Sequence, residues 1–158
     1  MNSDSDMMML TRRFILGALS AFFLAPAAHA QDMPVYYTTD GVALAGYDAV
    51  SYFDGAKPIM GMPENSVMWK GARWHFASQE NRELFESDPR AFAPQFGGYC
   101  SYAMAMGTLK STDPNAWQVV NGRLYLTHSE AIEKIWQQDR AEYIHLAEEN
   151  WPVILYRE

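Results

Sequence analysis

The chain predicts an α+β fold in which small antiparallel hairpins pack with short helices and a helical extension follows at the C-terminus. Two hairpin signals carry this expectation. Trp117-Gln118-Val119-Val120 and Arg123-Leu124-Tyr125-Leu126 flank Asn121-Gly122, a pair suited to a type I′ turn. Val67-Met68-Trp69-Lys70 and Arg73-Trp74-His75-Phe76-Ala77 flank Gly71-Ala72. The third observation is the order of elements: hairpins and helices follow one another without the βαβ alternation of a parallel sheet.

Each element has a local cause. Val50-Ser51-Tyr52-Phe53 combines β-branched and aromatic residues and reads as a short strand closed by Asp54-Gly55. Ser78 is placed to N-cap a helix from Gln79 to about Ser87, ended by Asp88-Pro89, and Arg90 to Pro94 reads as a further turn of helix. Gly97-Gly98 introduces Tyr99 to Gly107, an aromatic, Ala and Met segment whose periodicity fits either a buried helix or an irregular core crossing. Thr127 or Ser129 caps a helix through about Gln138, with Ile132, Ile135 and Trp136 on one face. A last amphipathic segment, Ala141 to Asn150, stops before Trp151-Pro152.

The first thirty residues read differently. Thr11-Arg12-Arg13-Phe14-Ile15-Leu16 sets two arginines before an apolar run, a twin-arginine export pattern. The run, Phe14 to Ala28, is shorter than the roughly 20 residues that a membrane-spanning helix needs. Ala28-His29-Ala30 is a small-x-small cleavage pattern, which makes residues 1–30 a removable signal peptide and residues 31–158 an exported, periplasmic domain. Twin-arginine substrates as a class cross the membrane folded, often with a cofactor inserted. No internal repeat, low-complexity tract or Pro/Ser linker divides residues 31–158, which read as one unit.

Charge and cysteine content narrow the function. The chain has 12 Lys and Arg against 19 Asp and Glu, a formal net charge of −7, and the signal removes Arg12 and Arg13 together with Asp4 and Asp6, leaving that balance unchanged. Such a surface gains no counterion release from a polyanion, which argues against nucleic acid and against anionic membrane once the signal is cleaved. Cys100 is the single cysteine, so no disulfide can form within the chain. Gly-rich phosphate loops, paired-His zinc motifs and EF-hand loops are missing from the sequence.

Several separated stretches together resemble the YHS domain family. They are Gly46-Tyr47-Asp48-Ala49-Val50-Ser51-Tyr52-Phe53, Trp74-His75-Phe76-Ala77-Ser78-Gln79-Glu80-Asn81-Arg82, Asp88-Pro89 with Gln95-Phe96-Gly97-Gly98-Tyr99-Cys100, and Asp113-Pro114-Asn115-Ala116-Trp117. The likeness runs over most of residues 46–126 and is narrowest to exported bacterial YHS proteins with a signal peptide and a C-terminal helical extension. Other YHS domains carry cysteines that look like soft-metal ligands, and the resemblance does not carry that function over to this chain. Aligned on these motifs, those cysteines fall on Ser51, Ala77 and Asn81, none of which can supply a thiolate.

Three functions remain open. The first is a soft-metal site, Cu(I) above all, built on Cys100 with Met104, Met106 and His75, since thiolate and thioether sulfurs suit Cu(I) and Cys-x-x-x-Met on a helix shares a face. The same residues serve equally as core fillers. The second is a metal-free binding or scaffold module with Tyr47, Tyr52, Trp69, Trp74, Tyr99, Tyr102 and Trp117 lining a pocket or partner surface. The third is a thiol enzyme with Cys100 as nucleophile and His75, His128 or His145 as base. Asp48 reads as an acceptor for backbone amides in a turn, and His145 as part of a solvated helix face.

Overall fold

The computed structural model describes residues 35–55 and 57–156. The expected signal peptide and its cleavage site lie outside them. Among the described residues no helix is long and apolar enough to cross a membrane.

A four-stranded sheet opens the fold. β1 (Thr38–Thr39) pairs antiparallel with β2 (Val42–Ala43), β2 meets β4 (Ala72–Phe76) in a parallel bridge at Val42 and Arg73, and β4 pairs antiparallel with β3 (Met62–Trp69), giving the order β1-β2-β4-β3. The β3–β4 turn falls on Lys70-Gly71, one residue earlier than the sequence suggests. Type I′ geometry needs two left-handed residues, and these two have φ of 52° and 78°. α1 (Gln79–Ser87) follows, its cap as expected: the Asn81 N–H donates to Ser78 Oγ at 3.1 Å. α2 (Pro89–Phe92) starts at the proline rather than at Arg90. Pro89 lacks only an N–H that a first helical turn leaves unpaired, and Asp88 accepts from the Ala91 N–H.

The second half begins with α3 (Ser101–Ala105), so the Tyr99–Gly107 segment is helical at its centre. β5 (Trp117–Val120) and β6 (Arg123–Leu126) form a separate hairpin whose turn residues, Asn121 and Gly122, have φ of 52° and 73°, as the sequence predicts. α4 (Glu130–Gln138) is capped by Ser129, whose Oγ accepts the Ile132 N–H at 3.3 Å. α5 runs from Arg140 to Leu155, past the point where the sequence predicts an end. Pro152 forfeits one backbone bond there. Packing compensates: Trp151 stacks near Phe96 and Tyr99, Ile154 is buried, and the Tyr156 N–H returns to the Pro152 carbonyl.

Two apolar cores result. The first gathers Tyr52, Trp74, Phe76 and Phe85 with Leu124 and Leu126; the second gathers Phe96, Met104, Trp136, Ala147 and Ile154 with Tyr125. Successive β6 side chains point to opposite faces, so Leu124 and Leu126 enter one core and Tyr125 the other. On α4 only Trp136 of the predicted apolar face is fully buried; Ile135 is exposed and Ile132 half-buried.

The clearest departure from the predicted elements is Val50–Asp54, which forms a 3-10 helix and not a strand. Asp48 is the reason. One carboxylate oxygen accepts the Val50 N–H at 2.8 Å, while the Asp48 carbonyl accepts both the Ser51 N–H at 3.2 Å and the Ser51 hydroxyl at 2.7 Å, which bends the chain against its β propensity. The other carboxylate oxygen accepts the Ala77 N–H at 2.8 Å and the Asn81 side-chain amide at 2.7 Å, tying this turn to the end of β4 and the start of α1. Asp48 is completely buried, and all its charge is answered by these donors. Asp48→Ala orphans three donors at once and is expected to cost roughly 3–5 kcal/mol. That corresponds to a fall of about 10–20 °C in Tm by calorimetry, while Asp54→Ala on the same turn changes little.

Candidate functional site

Cys100 follows a strained turn. Phe96, Gly97 and Gly98 all have positive φ, a region that a bulky residue such as Phe96 rarely enters. Gly97 is obligatory, because a Cβ there would run into the Val35 carbonyl oxygen. From this turn Cys100 enters α3 as its first flanking residue, with its N–H bonded to the Lys110 carbonyl at 3.1 Å and its carbonyl accepting the Met104 N–H at 2.9 Å. The thiol is almost wholly buried, and Sγ accepts the His128 backbone N–H at 3.2 Å.

Cys100 is one of the residues lining a cavity of about 510 Å³, together with Tyr102, Met106, Lys110, His128, Ile132 and others. His128 is held by its ring: Nδ1 lies 3.0 Å from the Ser111 carbonyl and 3.2 Å from the Ser111 hydroxyl. A carbonyl only accepts, so in the neutral ring Nδ1 carries the proton and Nε2 keeps its lone pair. The cavity therefore collects a thiol, a thioether and an imidazole with a fixed tautomer. Soft cations prefer that donor chemistry.

Of the four residues singled out as metal ligands, the structure brings two together. Cys100 and the half-exposed Met106 line the same cavity. Met104, one turn on from Cys100, is fully buried in the second core and fills space between aromatic rings. The Cys-x-x-x-Met spacing is helical, yet the side chain at its far end faces the core. His75 lies in β4, away from this cavity, where its Nδ1 and the Met60 sulfur flank the same point beside Gly46. His128 is the residue that the sequence did not assign to this donor set. It stands 28 positions away, and only the β6–α4 connection carries it to Cys100.

The other expectations separate cleanly. Tyr52 and Trp74 are core residues, and Trp69 packs against Trp74 and Phe85, so most of the expected aromatic pocket is core; Tyr102 alone of that set lines the cavity. Tyr52 donates to the Pro114 carbonyl at 3.0 Å and meets Trp117 edge-on, and burial pushes its phenol well above the ordinary tyrosine range. His145 is exposed and faces Glu149 at 3.7 Å. Among the described residues, no three His, Cys, Asp or Glu side chains converge as a metal-binding group. A scan of protein-family models gives no match, and searches of curated proteins and of solved structures find no significant similarity.

His75 also carries a pH signature. Burial lowers its pKa first, the Arg73 charge lowers it further, and Glu64 opposes them in part. Its Nε2 is buried without a hydrogen-bond partner among the described residues. The folded state thus disfavours the proton relative to the unfolded chain, where histidine titrates near ~6.5. The stabilising contribution is whole above that pH and drains away as pH falls through the lower folded value. Wild-type Tm is expected to drop more steeply between pH 7 and pH 5 than that of His75→Gln, and parallel curves would contradict this assignment.

Proposed function

We propose that residues 31–158 form an exported, periplasmic soft-metal-binding domain of YHS type, that its ligand is Cu(I), and that the metal is held at the Cys100 cavity by Cys100, Met106 and His128. The observation that carries this reading is the sharing of one cavity by Cys100, the half-exposed Met106 and His128, whose ring is held by Ser111. Thiolate and thioether select a soft monovalent ion, and imidazole accepts copper equally well. The Ser111 carbonyl acts as an outer partner that orients the ring. Partial enclosure limits access of water to the sulfur, which favours the reduced metal over its harder, more hydrated state.

The metal ligands of other YHS proteins do not carry over to this chain, so the proposed site rests on the Cys100 cavity alone. Ser51, Ala77 and Asn81, where the resemblance sets thiolates in other members, are engaged here in hydrogen bonds to Asp48. A carboxylate with its donors satisfied leaves no room for a metal there. The partners under this reading are the metal ion and a periplasmic protein that delivers or receives it.

Metal-free binding is the second reading, favoured by cavity volume. About 510 Å³, bordered by Tyr102, Ala103 and Ile132, falls within the range of small-molecule pockets.

Titration of the reduced protein with Cu(I) against a chromophoric chelator decides between them. One equivalent is expected to bind. Cys100→Ser, Met106→Leu and His128→Ala should each weaken binding by more than the roughly 10–100-fold that loss of an outer partner costs. Met104→Leu should lower Tm without changing affinity. Equal affinity in wild type and Cys100→Ser would refute the copper assignment.

A further inference from the structure

The undivided unit read from the sequence conceals a repeat that appears only in three dimensions. Leu44, Ala45 and Gly46 have φ of 53°, 50° and 91°; Phe96, Gly97 and Gly98 have 52°, 61° and 76°. Each left-handed turn closes with a tyrosine N–H on the carbonyl of the turn's first residue, Tyr47 to Leu44 at 3.0 Å and Tyr99 to Phe96 at 3.1 Å. Left-handed φ in non-glycine residues is uncommon, so two such runs with the same closure are not generic loops. The next residue in each case is a buried acceptor, Asp48 or Cys100.

The correspondence continues bond by bond. The Asp48 N–H donates to the Ile59 carbonyl and the Cys100 N–H to the Lys110 carbonyl. The Gly46 carbonyl accepts from the Gly61 N–H, and the Gly98 carbonyl from the Thr112 hydroxyl. From there Lys70–Asp88 corresponds to Asn121–Asp139 in order and spacing, without a gap: a hairpin turn ending in Gly71 or Gly122, a capping Ser78 or Ser129, a nine-residue helix with one buried ring, Phe85 or Trp136, and a terminal aspartate. The Ala77 N–H reaches the Asp48 carboxylate just where the His128 N–H reaches the Cys100 sulfur.

We infer that residues 44–88 and 96–139 are two versions of one structural unit, and that the Cys100 cavity is the open counterpart of the Asp48 clamp, with Ile132 the residue that keeps it open. In the clamp, Asn81 Nδ2 and the Val50 N–H complete the set of donors around the acid. Their counterparts are Ile132 and Tyr102, and both line the cavity. Ile132 has no donor to offer. The His128 N–H is the only donor to Sγ among the described residues, where the carboxylate has three. A thiolate in this position is short of positive partners, and a soft cation in the cavity supplies what the missing donors do not. That identity of the ligand rests on the proposed function; the equivalence of the two sites does not.

Transplanting the clamp separates the two ideas. Cys100→Asp buries a carboxylate with one donor and lowers Tm sharply or prevents folding. Adding Ile132→Asn restores the amide donor, so the double variant is expected to melt well above Cys100→Asp alone, although Ile132→Asn by itself lowers Tm. Additive losses, or a double variant no more folded than Cys100→Asp, overturn the equivalence. Cu(I) titration of Ile132→Asn in the Cys100 background reads the cavity separately: a drop of about tenfold or more supports Ile132 as the residue holding it open, and unchanged affinity overturns that role. Wild-type protein that binds no Cu(I) would end the copper reading while leaving the result of the stability cycle standing.

Discussion

A single buried carboxylate organises the first half of this chain. Asp48 is cut off from water, and ionised carboxylates tolerate that only where donors replace the lost hydration. Its three partners come from different places: the next turn, the residue after β4, and the first turn of α1. Satisfying one charge therefore sets the angle between a 3-10 helix, a hairpin and a helix. The aromatic core then forms around that frame, with Phe85 in contact with Trp69, Trp74 and Phe76 at ring separations of 5.0–5.6 Å. Each such pair adds about 0.5–1.5 kcal/mol beyond area burial, but only if the ring is delivered to the right place.

The second half uses the same frame with a weaker acceptor. Sulfur accepts hydrogen bonds poorly, so Cys100 cannot play the role of Asp48 in full. What holds this half together is apolar contact, from Trp136 against Tyr125 and from α5 packed along α3, with Asn150 donating to the Met104 and Ala105 carbonyls that end the short helix. Stability has been shifted away from the acceptor to its surroundings. The acceptor is correspondingly free to meet something else.

Local signals in the sequence were reliable wherever the cause of a structure was itself local. Ser78 and the Asn121-Gly122 turn appear where capping and type I′ geometry require them, because each depends on atoms within four residues. The strand expected over Val50–Phe53 failed because its backbone answers to Asp48, and the helix expected to stop at Asn150 continues because Trp151 and Ile154 find distant partners. The candidate site divides along the same line. Cys100 and Met106 were visible as neighbouring sulfurs, whereas Met104 on the same short helix turned to the core, a choice set by packing against β6 and α4 that spacing does not encode. His128 was one of three histidines that the sequence offered as a partner for Cys100, and only the fold singles it out. The repeat escaped notice for a related reason, since its two versions share turn geometry and bonding pattern while few residue identities survive beyond Gly-Tyr, the turn glycine, the capping serine and the closing aspartate.

Strand β6 gives this architecture a further property. Its side chains are committed alternately to both cores, with Leu124 and Leu126 on one side and Tyr125 on the other. The first half does not own a complete interior, because it borrows Leu124 and Leu126 from the second. Excising residues 44–88 would leave a sheet with a bare greasy face, and loosening the hairpin around Asn121-Gly122 would unsettle both interiors together. Because one strand serves both interiors, the paired units are bound to melt as one body.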